Sequence, residues 1–232
     1  MNFLKYDGQR ILIFAPHADD EVLGCGGIIQ KFIKHDSPVR VVIGTFTLGS
    51  DKKFRKETKQ YEEYSGTVRM DEFINALKIL GVQDRRVLYV DSLVVQYQNQ
   101  LDRIPKCELI GKIEEEINDF NPTILLIPSF TRHQDHAALY EACLAAARPY
   151  YWNGSVLVYE TDGELKFKPS LYIPLSSDEI EKKLKAISAY KTQLRSSCHP
   201  VNPLSQKAKA IFRGQIIYED YAEAFQIFRL HG

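Results

Sequence analysis

The chain has 232 residues, a length typical of one domain, and we expect residues 1–232 to fold as a single unit. Its 30 lysines and arginines balance 30 aspartates and glutamates, so the formal net charge is zero and we predict neither a nucleic-acid partner nor a membrane-surface partner. Four scattered cysteines without a CxxC pair argue against a disulfide framework, and no apolar run approaches the roughly 20 residues that span a bilayer.

The first elements alternate between strand and helix patterns. Residues Met1–Asp7 lack the apolar run of a secretory signal, and we expect a cytoplasmic protein. Arg10–Phe14 is a short apolar run that predicts a strand, and a helix pattern with a broad apolar face follows it. Val39–Phe46 is almost continuously apolar or β-branched, which is typical of a strand covered on both faces.

Two polar segments interrupt the next part of the chain. Gly49–Gly66 is rich in Lys, Glu and Tyr and predicts either a mobile lid or a charged helix, and Ser92–Ile104 is amide-rich and irregular. Between them, Thr67 is the predicted N-cap of a helix that ends at Gly81, and Val87–Val90 is a predicted strand. We expect both polar segments to select the substrate, because such roles usually fall to loops.

The second half of the chain continues the alternation. The predicted elements are a helix from Pro105 to Phe120, a strand from Thr123 to Pro128, a helix from Ala137 to Arg148, a strand from Val156 to Tyr159, and a helix through Leu184, Ile187 and Tyr190 with a capping box at Asp178 and Glu181. Strands that alternate with helices predict an α/β fold with a doubly wound, mainly parallel sheet.

Two short clusters combine imidazoles with carboxylates. Pro16–Glu21 follows the first predicted strand and His133–His136 follows the fourth, and together they hold three of the six histidines. The carboxyl ends of parallel strands lie at one edge of a sheet, where open α/β folds place their active sites. We therefore expect the two clusters to meet in one divalent-metal site.

The types of residue in these clusters favour a catalytic site over a structural one. His17, Asp20 and His136 would supply three nitrogen and oxygen ligands, which leaves a position open for water or substrate, as in catalytic zinc sites. The same donors also accept Fe²⁺, Co²⁺ or Mn²⁺. Asp19 would stay free to act as a general base on water that zinc makes more acidic.

The remaining cluster residues have supporting roles in this hypothesis. His133 as an imidazolium would stabilise an oxyanion or protonate a leaving amine, and Asp135 would hold a histidine in the required tautomer. The alternative is structural, because histidines at strand ends are often only hydrogen-bonded and an acidic helix start complements the helix dipole.

Pro-His-Ala-Asp-Asp-Glu followed at a distance by His-x-Asp-His resembles the signature of the LmbE-like (PIG-L) family of metal-dependent de-N-acetylases. The resemblance implies a Rossmann-like three-layer fold and hydrolysis of the N-acetyl group of an N-acetylglucosamine-type sugar, which releases acetate and a free amine. It implies zinc ligands at His17, Asp20 and His136, the base at Asp19, and an acid or electrostatic partner at His133. Arg69 resembles an arginine that the family places at the sugar, although an exposed residue at a helix start would also fit.

Three positions depart from the family pattern. Ala18 and Gln134 stand where prolines are common, and Thr131 stands where some members have a tyrosine. If that tyrosine binds the oxyanion in those enzymes, the role falls here to His133, to the metal or to a mobile residue.

Two other functions fit the same residues: the same hydrolysis of a non-sugar amide, or a non-catalytic zinc-containing protein that binds carbohydrate. Gly24, Gly26 and Gly27 do not match the dinucleotide spacing G-x-G-x-x-G, and we expect them to permit close packing near the metal site. The composition is compatible with a monomer and with a homo-oligomer.

Overall fold

The computed structural model describes residues 4–47, 50–55, 60–91, 100–161 and 167–231. The strands are β1 (Ile11–Ala15), β2 (Val39–Thr47), β3 (Ser50–Arg55), β4 (Gln60–Ser65), β5 (Asp84–Asp91), β6 (Ile124–Pro128), β7 (Ser155–Tyr159), β8 (Leu171–Pro174) and β9 (Ala222–Arg229). The helices are α1 (Asp20–Lys34), α2 (Gly66–Leu80), α3 (Lys106–Phe120), α4 (Gln134–Ala146), α5 (Ser177–Ser188) and α6 (Pro203–Gln215), with a 3₁₀ turn at Leu101–Arg103. Among these helices, none combines the length and apolar character needed to cross a bilayer.

Seven strands form one sheet in the order β5-β2-β1-β6-β7-β9-β8. Strands β5, β2, β1, β6 and β7 are parallel to one another, whereas β9 is antiparallel to both β7 and β8. The chain runs outward from β1 through β2 to β5 and then returns to β6 on the other side of β1. The prediction of an α/β fold with a mainly parallel sheet is confirmed, and the direction of winding reverses between β1 and β6.

The sheet separates two apolar layers, which makes three layers in all. All five residues of β1 are buried, because this central strand has helices on both faces. Ile11 and Ile13 pack in the layer that contains α1, α2 and α5, whereas Leu12 and Phe14 pack in the layer that contains α3 and α4. This two-sided burial explains why the central strands are continuous apolar runs in the sequence.

The polar segment Gly49–Gly66 contains the antiparallel hairpin β3–β4, so the predicted charged helix is wrong. Its register pairs Lys52 with Glu63 and Lys53 with Glu62. The lid stays a prediction, since residues 48–49 and 56–59 lie outside the described residues. Residues 92–99 of the other polar segment also lie outside them.

Two predicted helix starts were displaced by two residues. Helix α2 begins at Gly66, and Ser65 caps it by accepting a hydrogen bond from the Val68 amide, so Thr67 is not the N-cap. Helix α5 has its capping box at Ser176 and Glu179 instead of Asp178 and Glu181. In both cases a serine lies two residues before the expected cap and takes the role. Gly81 does end α2 in a left-handed conformation, as predicted.

Gly24 lets α1 lie directly against the Tyr159 ring of β7, so the expected close packing occurs in the core. A Cβ at this position would overlap the ring, and the Tyr159 hydroxyl donates a hydrogen bond to the Phe14 carbonyl at 2.9 Å.

We expect Gly24→Ala to lower the free energy of unfolding by about 1–3 kcal/mol, measured by urea denaturation. Gly111→Ala in α3 is the matched control, because a Cβ there meets nothing within 4 Å and should stabilise by about 0.5–1 kcal/mol. A stabilising Gly24→Ala would contradict the packing argument.

Candidate active site

The two acid and imidazole clusters meet at the carboxyl ends of β1 and β6. These strands are hydrogen-bonded neighbours, with Ile13 paired with Leu126, so the loops that follow them lie side by side. The ring centroids of His17, His133 and His136 are separated by 5.0 to 5.6 Å. The structure therefore brings the two sequence motifs together at the switch point of the sheet.

His17, Asp20 and His136 form a compact group of metal-ligand atoms. His17 Nδ1 and His136 Nε2 each lie 3.4 Å from Oδ2 of Asp20. Ligand atoms placed about 2.0–2.2 Å from a tetrahedral zinc ion are separated by about 3.3–3.5 Å, so this spacing fits such an ion. Asp20 and His136 are buried, and His17 is of intermediate burial.

The charged groups of this cluster shift one another's pKa values. Burial opposes the charge on Asp20, but the neighbouring His136 and His17 lower the pKa of its carboxyl. Burial would also lower the pKa of His17, but hydrogen bonds with Asp135 and Asp20 outweigh it and raise the pKa to about 9. Asp20 is thus held as a carboxylate, the form that a metal ligand requires, whereas His17 must release a proton when it binds a metal ion.

Asp135 orients His17. It is fully buried, and its Oδ2 lies 2.8 Å from His17 Nε2, which leaves His17 Nδ1 directed toward Asp20. Its other oxygen accepts a hydrogen bond of 2.8 Å from the Leu101 amide. The sequence predicted a histidine partner for Asp135 without identifying it; the contact with Leu101 was missed because it depends on the fold of a segment without a motif.

A second group of ligand atoms shares His17 with the first: His17, His133 and Asp135. Here, however, Asp135 already uses both oxygens, and His133 Nδ1 accepts a hydrogen bond of 3.2 Å from the Asp135 amide. Burial, together with the neighbouring histidines, lowers the pKa of His133. The electrostatics therefore favour a neutral His133 with its proton on Nε2, in contrast to the imidazolium that we expected from the sequence.

Asp19 occupies an unusual backbone conformation beside the ligand group, with φ 141° and ψ −34°. Such a conformation costs a residue other than glycine about 1–3 kcal/mol and occurs preferentially at functional sites. Its amide donates to Oε2 of Glu21 at 2.9 Å, and its carbonyl accepts from the amides of Val22 and Leu23. Asp19 is half-buried, whereas the neighbouring Asp20 is buried.

Glu21 is fully buried next to Asp19, and sequence reasoning assigned it no role beyond the helix start. Burial raises its pKa to about 8, although hydrogen bonds with Tyr190 and the Asp19 amide oppose this shift. At neutral pH, Glu21 therefore adds little negative charge beside Asp19. Tyr190 was predicted only as an apolar residue of a helix, and nothing in the local sequence pattern linked it to the motif.

Two other residues singled out from the sequence border the cluster. Arg69 is half-buried, and its guanidinium donates to the Ala18 carbonyl at 3.3 Å, so it is not simply an exposed residue at a helix start. Thr131 is buried, and its hydroxyl accepts a hydrogen bond of 3.1 Å from the His133 amide. Thr131 therefore supports the loop that carries His133.

Comparison with known proteins adds independent information. A family model described as GlcNAc-PI de-N-acetylase (PIG-L) matches residues 12–147, which include both clusters. "Probable N-acetyl-alpha-D-glucosaminyl L-malate deacetylase 2" of Bacillus subtilis is 28% identical over an alignment of 146 positions that covers 60% of this chain and 60% of that protein. "Diacetylchitobiose deacetylase" of Thermococcus kodakarensis is 25% identical over an alignment of 236 positions that covers 95% of this chain and 83% of that protein.

The fold also has a close counterpart among solved structures. The conserved protein TT1542 from Thermus thermophilus superposes with a TM-score of 0.74 at 23% sequence identity. The superposition covers 97% of this chain and 96% of the other. The arrangement of strands and helices is thus shared along nearly the whole length.

Proposed function

The chain belongs to the PIG-L family, and from this premise we propose that it hydrolyses the N-acetyl group of an N-acetylglucosamine-type amino sugar in a zinc-dependent reaction. One observation carries the proposal: His17, Asp20 and His136 bring their ligand atoms close enough to hold one metal ion, and the residue directly before Asp20 is a second aspartate, Asp19, that is not one of these ligands. A purely structural metal site has no need of an additional carboxylate next to its ligands. The names of both relatives, which are deacetylases of acetylated amino sugars, support the choice of substrate class.

We assign the metal to Nδ1 of His17, Oδ2 of Asp20 and Nε2 of His136. When bound, zinc supplies Lewis-acid polarisation of the amide carbonyl and a more acidic attacking water. The same donor set accepts Fe²⁺, Co²⁺ or Mn²⁺. Asp135 fixes the ring of His17 for this role through the hydrogen bond to Nε2.

The other side chains handle protons and charge. Asp19 takes a proton from water as the water oxygen bonds to the acetyl carbon, and the Nε2–H group of His133 donates a hydrogen bond to the carbonyl oxygen as negative charge develops there. The carbon–nitrogen bond then breaks, and Asp19 returns its proton to the departing amine. Arg69 binds hydroxyl groups of the sugar from its position above Ala18.

The test of this function is release of acetate and amine by zinc-loaded protein. The panel comprises N-acetylglucosamine glycosides with different aglycones, diacetylchitobiose, and N-acetylated amino acids as non-sugar amides. We expect acetate and primary amine in a 1:1 ratio from at least one sugar, loss of the activity after chelation, and its return with zinc. Turnover of the amino acids alone would change the substrate class, and sugar binding without turnover would favour the carbohydrate-binding alternative.

A further inference from the structure

A buried pair, Glu21 and Tyr190, lies directly behind Asp19. Glu21 is fully buried and Tyr190 is 1% exposed. The Tyr190 hydroxyl donates to Oε1 of Glu21, and the other carboxyl oxygen, Oε2, accepts the Asp19 amide at 2.9 Å. Since a carbonyl oxygen accepts this bond as well as a carboxylate oxygen does, the chain of contacts persists in either protonation state of Glu21.

These contacts fix the backbone of Asp19 from both sides. Its amide is bound by Glu21, and its carbonyl accepts from the first-turn amides of Val22 at 3.1 Å and Leu23 at 2.9 Å. Together they hold φ at 141°, a value that a residue with a β-carbon adopts only when its surroundings impose it. Because φ and ψ set the direction of the Cα–Cβ bond, they also decide where the Asp19 carboxylate points.

We propose that Glu21 and Tyr190 are positioning residues, which hold Asp19 in this conformation so that its carboxylate works as a base apart from the neighbouring ligand Asp20. The inference rests on the proposed function of Asp19. Two adjacent aspartates must serve different roles, and an imposed backbone conformation at the first of them separates their side chains.

Tyr190 reaches the motif from a distant part of the chain. It follows the end of α5 at Ser188 and lies outside residues 12–147, the region that matches the family model. Its hydroxyl fixes one oxygen of Glu21 and so determines which oxygen faces the Asp19 amide. The position of the base thus depends on a contact between the N-terminal motif and the C-terminal third of the chain.

The kinetic test uses Tyr190→Phe, Glu21→Leu and Glu21→Gln in the zinc-loaded enzyme. We expect Tyr190→Phe and Glu21→Leu to lower kcat by roughly 10- to 100-fold with little change in KM, since small misplacements of a catalytic group have effects of this size. Glu21→Gln keeps an oxygen acceptor and should retain more activity than Glu21→Leu. Zinc content and the visible spectrum of the Co²⁺-substituted protein should not change, because no ligand is altered.

Glu223→Gln is the matched control. Glu223 is also a buried carboxyl that accepts hydrogen bonds from the backbone of α1, from the amides of Gly27 at 2.6 Å and Ile28 at 2.8 Å. It makes these contacts two turns away from Asp19, so its replacement should lower the unfolding midpoint and leave kcat unchanged. An equal loss of kcat in Glu223→Gln would overturn a specific role for Glu21 and Tyr190.

A second measurement needs no substrate and no metal. We compare the unfolding midpoints of Asp19→Gly and Asp19→Asn, which both lose the charge, while only glycine relieves strain at positive φ. With Glu21 present, the glycine variant should melt roughly 3 °C higher. In the Glu21→Leu background the order of the two midpoints should reverse. Without Glu21, asparagine at position 19 can relax to an unstrained backbone conformation. Glycine then has no strain to relieve, and its greater conformational freedom in the unfolded chain lowers its midpoint.

The outcomes separate the two proposals. A wild-type kcat in Tyr190→Phe would overturn the positioning role. So would the same order of the Asp19→Gly and Asp19→Asn unfolding midpoints with Glu21 and with Glu21→Leu. Absence of acetate release from the wild type would instead overturn the proposed function, and the midpoints would still decide whether Glu21 holds the backbone of Asp19.

Discussion

Replacement of Asp19 by asparagine should lower kcat for acetate release by roughly 1000-fold while the protein keeps its zinc. Asparagine has nearly the same shape as aspartate and can occupy the same backbone conformation, but its amide cannot accept a proton from water at neutral pH. The ligand atoms of His17, Asp20 and His136 are untouched, so the metal should stay bound. The measurement is kcat by acetate release, with zinc per chain determined on the same samples.

Asp71→Asn is the matched control for this substitution. Asp71 is exposed on α2, two residues after Arg69, so the same chemical change there should leave kcat within about twofold, as is usual for surface positions. Retention of more than a tenth of the activity by Asp19→Asn would exclude Asp19 as the base. Loss of both activity and zinc would show that Asp19 is a metal ligand, which would contradict its assignment as a base distinct from the ligand Asp20.

The sequence predicted the parallel part of the sheet and the meeting of the two clusters, because both depend on strong local patterns. The buried strands are continuous apolar runs, and the clusters directly follow two of them. What the sequence could not give is the strand order, since the pairing of β1 with β6 connects segments more than 100 residues apart. Strands β8 and β9 were missed: β8 has only four residues and is only partly buried, and β9 is buried along just half of its length.

Within the site, single residues could be predicted but their partners could not. The spacing of His17, Asp20 and His136 in the sequence pointed to one metal site, and the structure brings their ligand atoms together. The conformation of Asp19 depends on Glu21 and Tyr190, a contact between residues 169 apart in sequence, which no local pattern encodes. The lowered pKa of His133 likewise follows from its burial and from the neighbouring histidines, His17 and His136.

His136→Ala should weaken zinc binding by roughly 1000-fold, because the site loses one of three direct ligands, whereas residues that only orient ligands typically contribute 10- to 100-fold. Asp135→Asn should fall within that smaller range, since Asp135 acts through its bond to His17. His133→Ala should change the affinity by less than about threefold, because His133 has no place in the proposed coordination. The measurement is competition against a chromophoric chelator at constant pH.

This series discriminates between the two groups of ligand atoms that share His17. If His17, His133 and Asp135 held the metal, His133→Ala would be the most damaging variant and His136→Ala nearly neutral. The geometry argues against that arrangement, because both Asp135 oxygens already hold buried partners, His17 Nε2 at 2.8 Å and the Leu101 amide at 2.8 Å, and a metal bound by Asp135 would compete with one of them. In the group of His17, Asp20 and His136, two ring nitrogens already face one carboxylate oxygen at equal distances, so zinc can bind without displacing a buried hydrogen bond of Asp135.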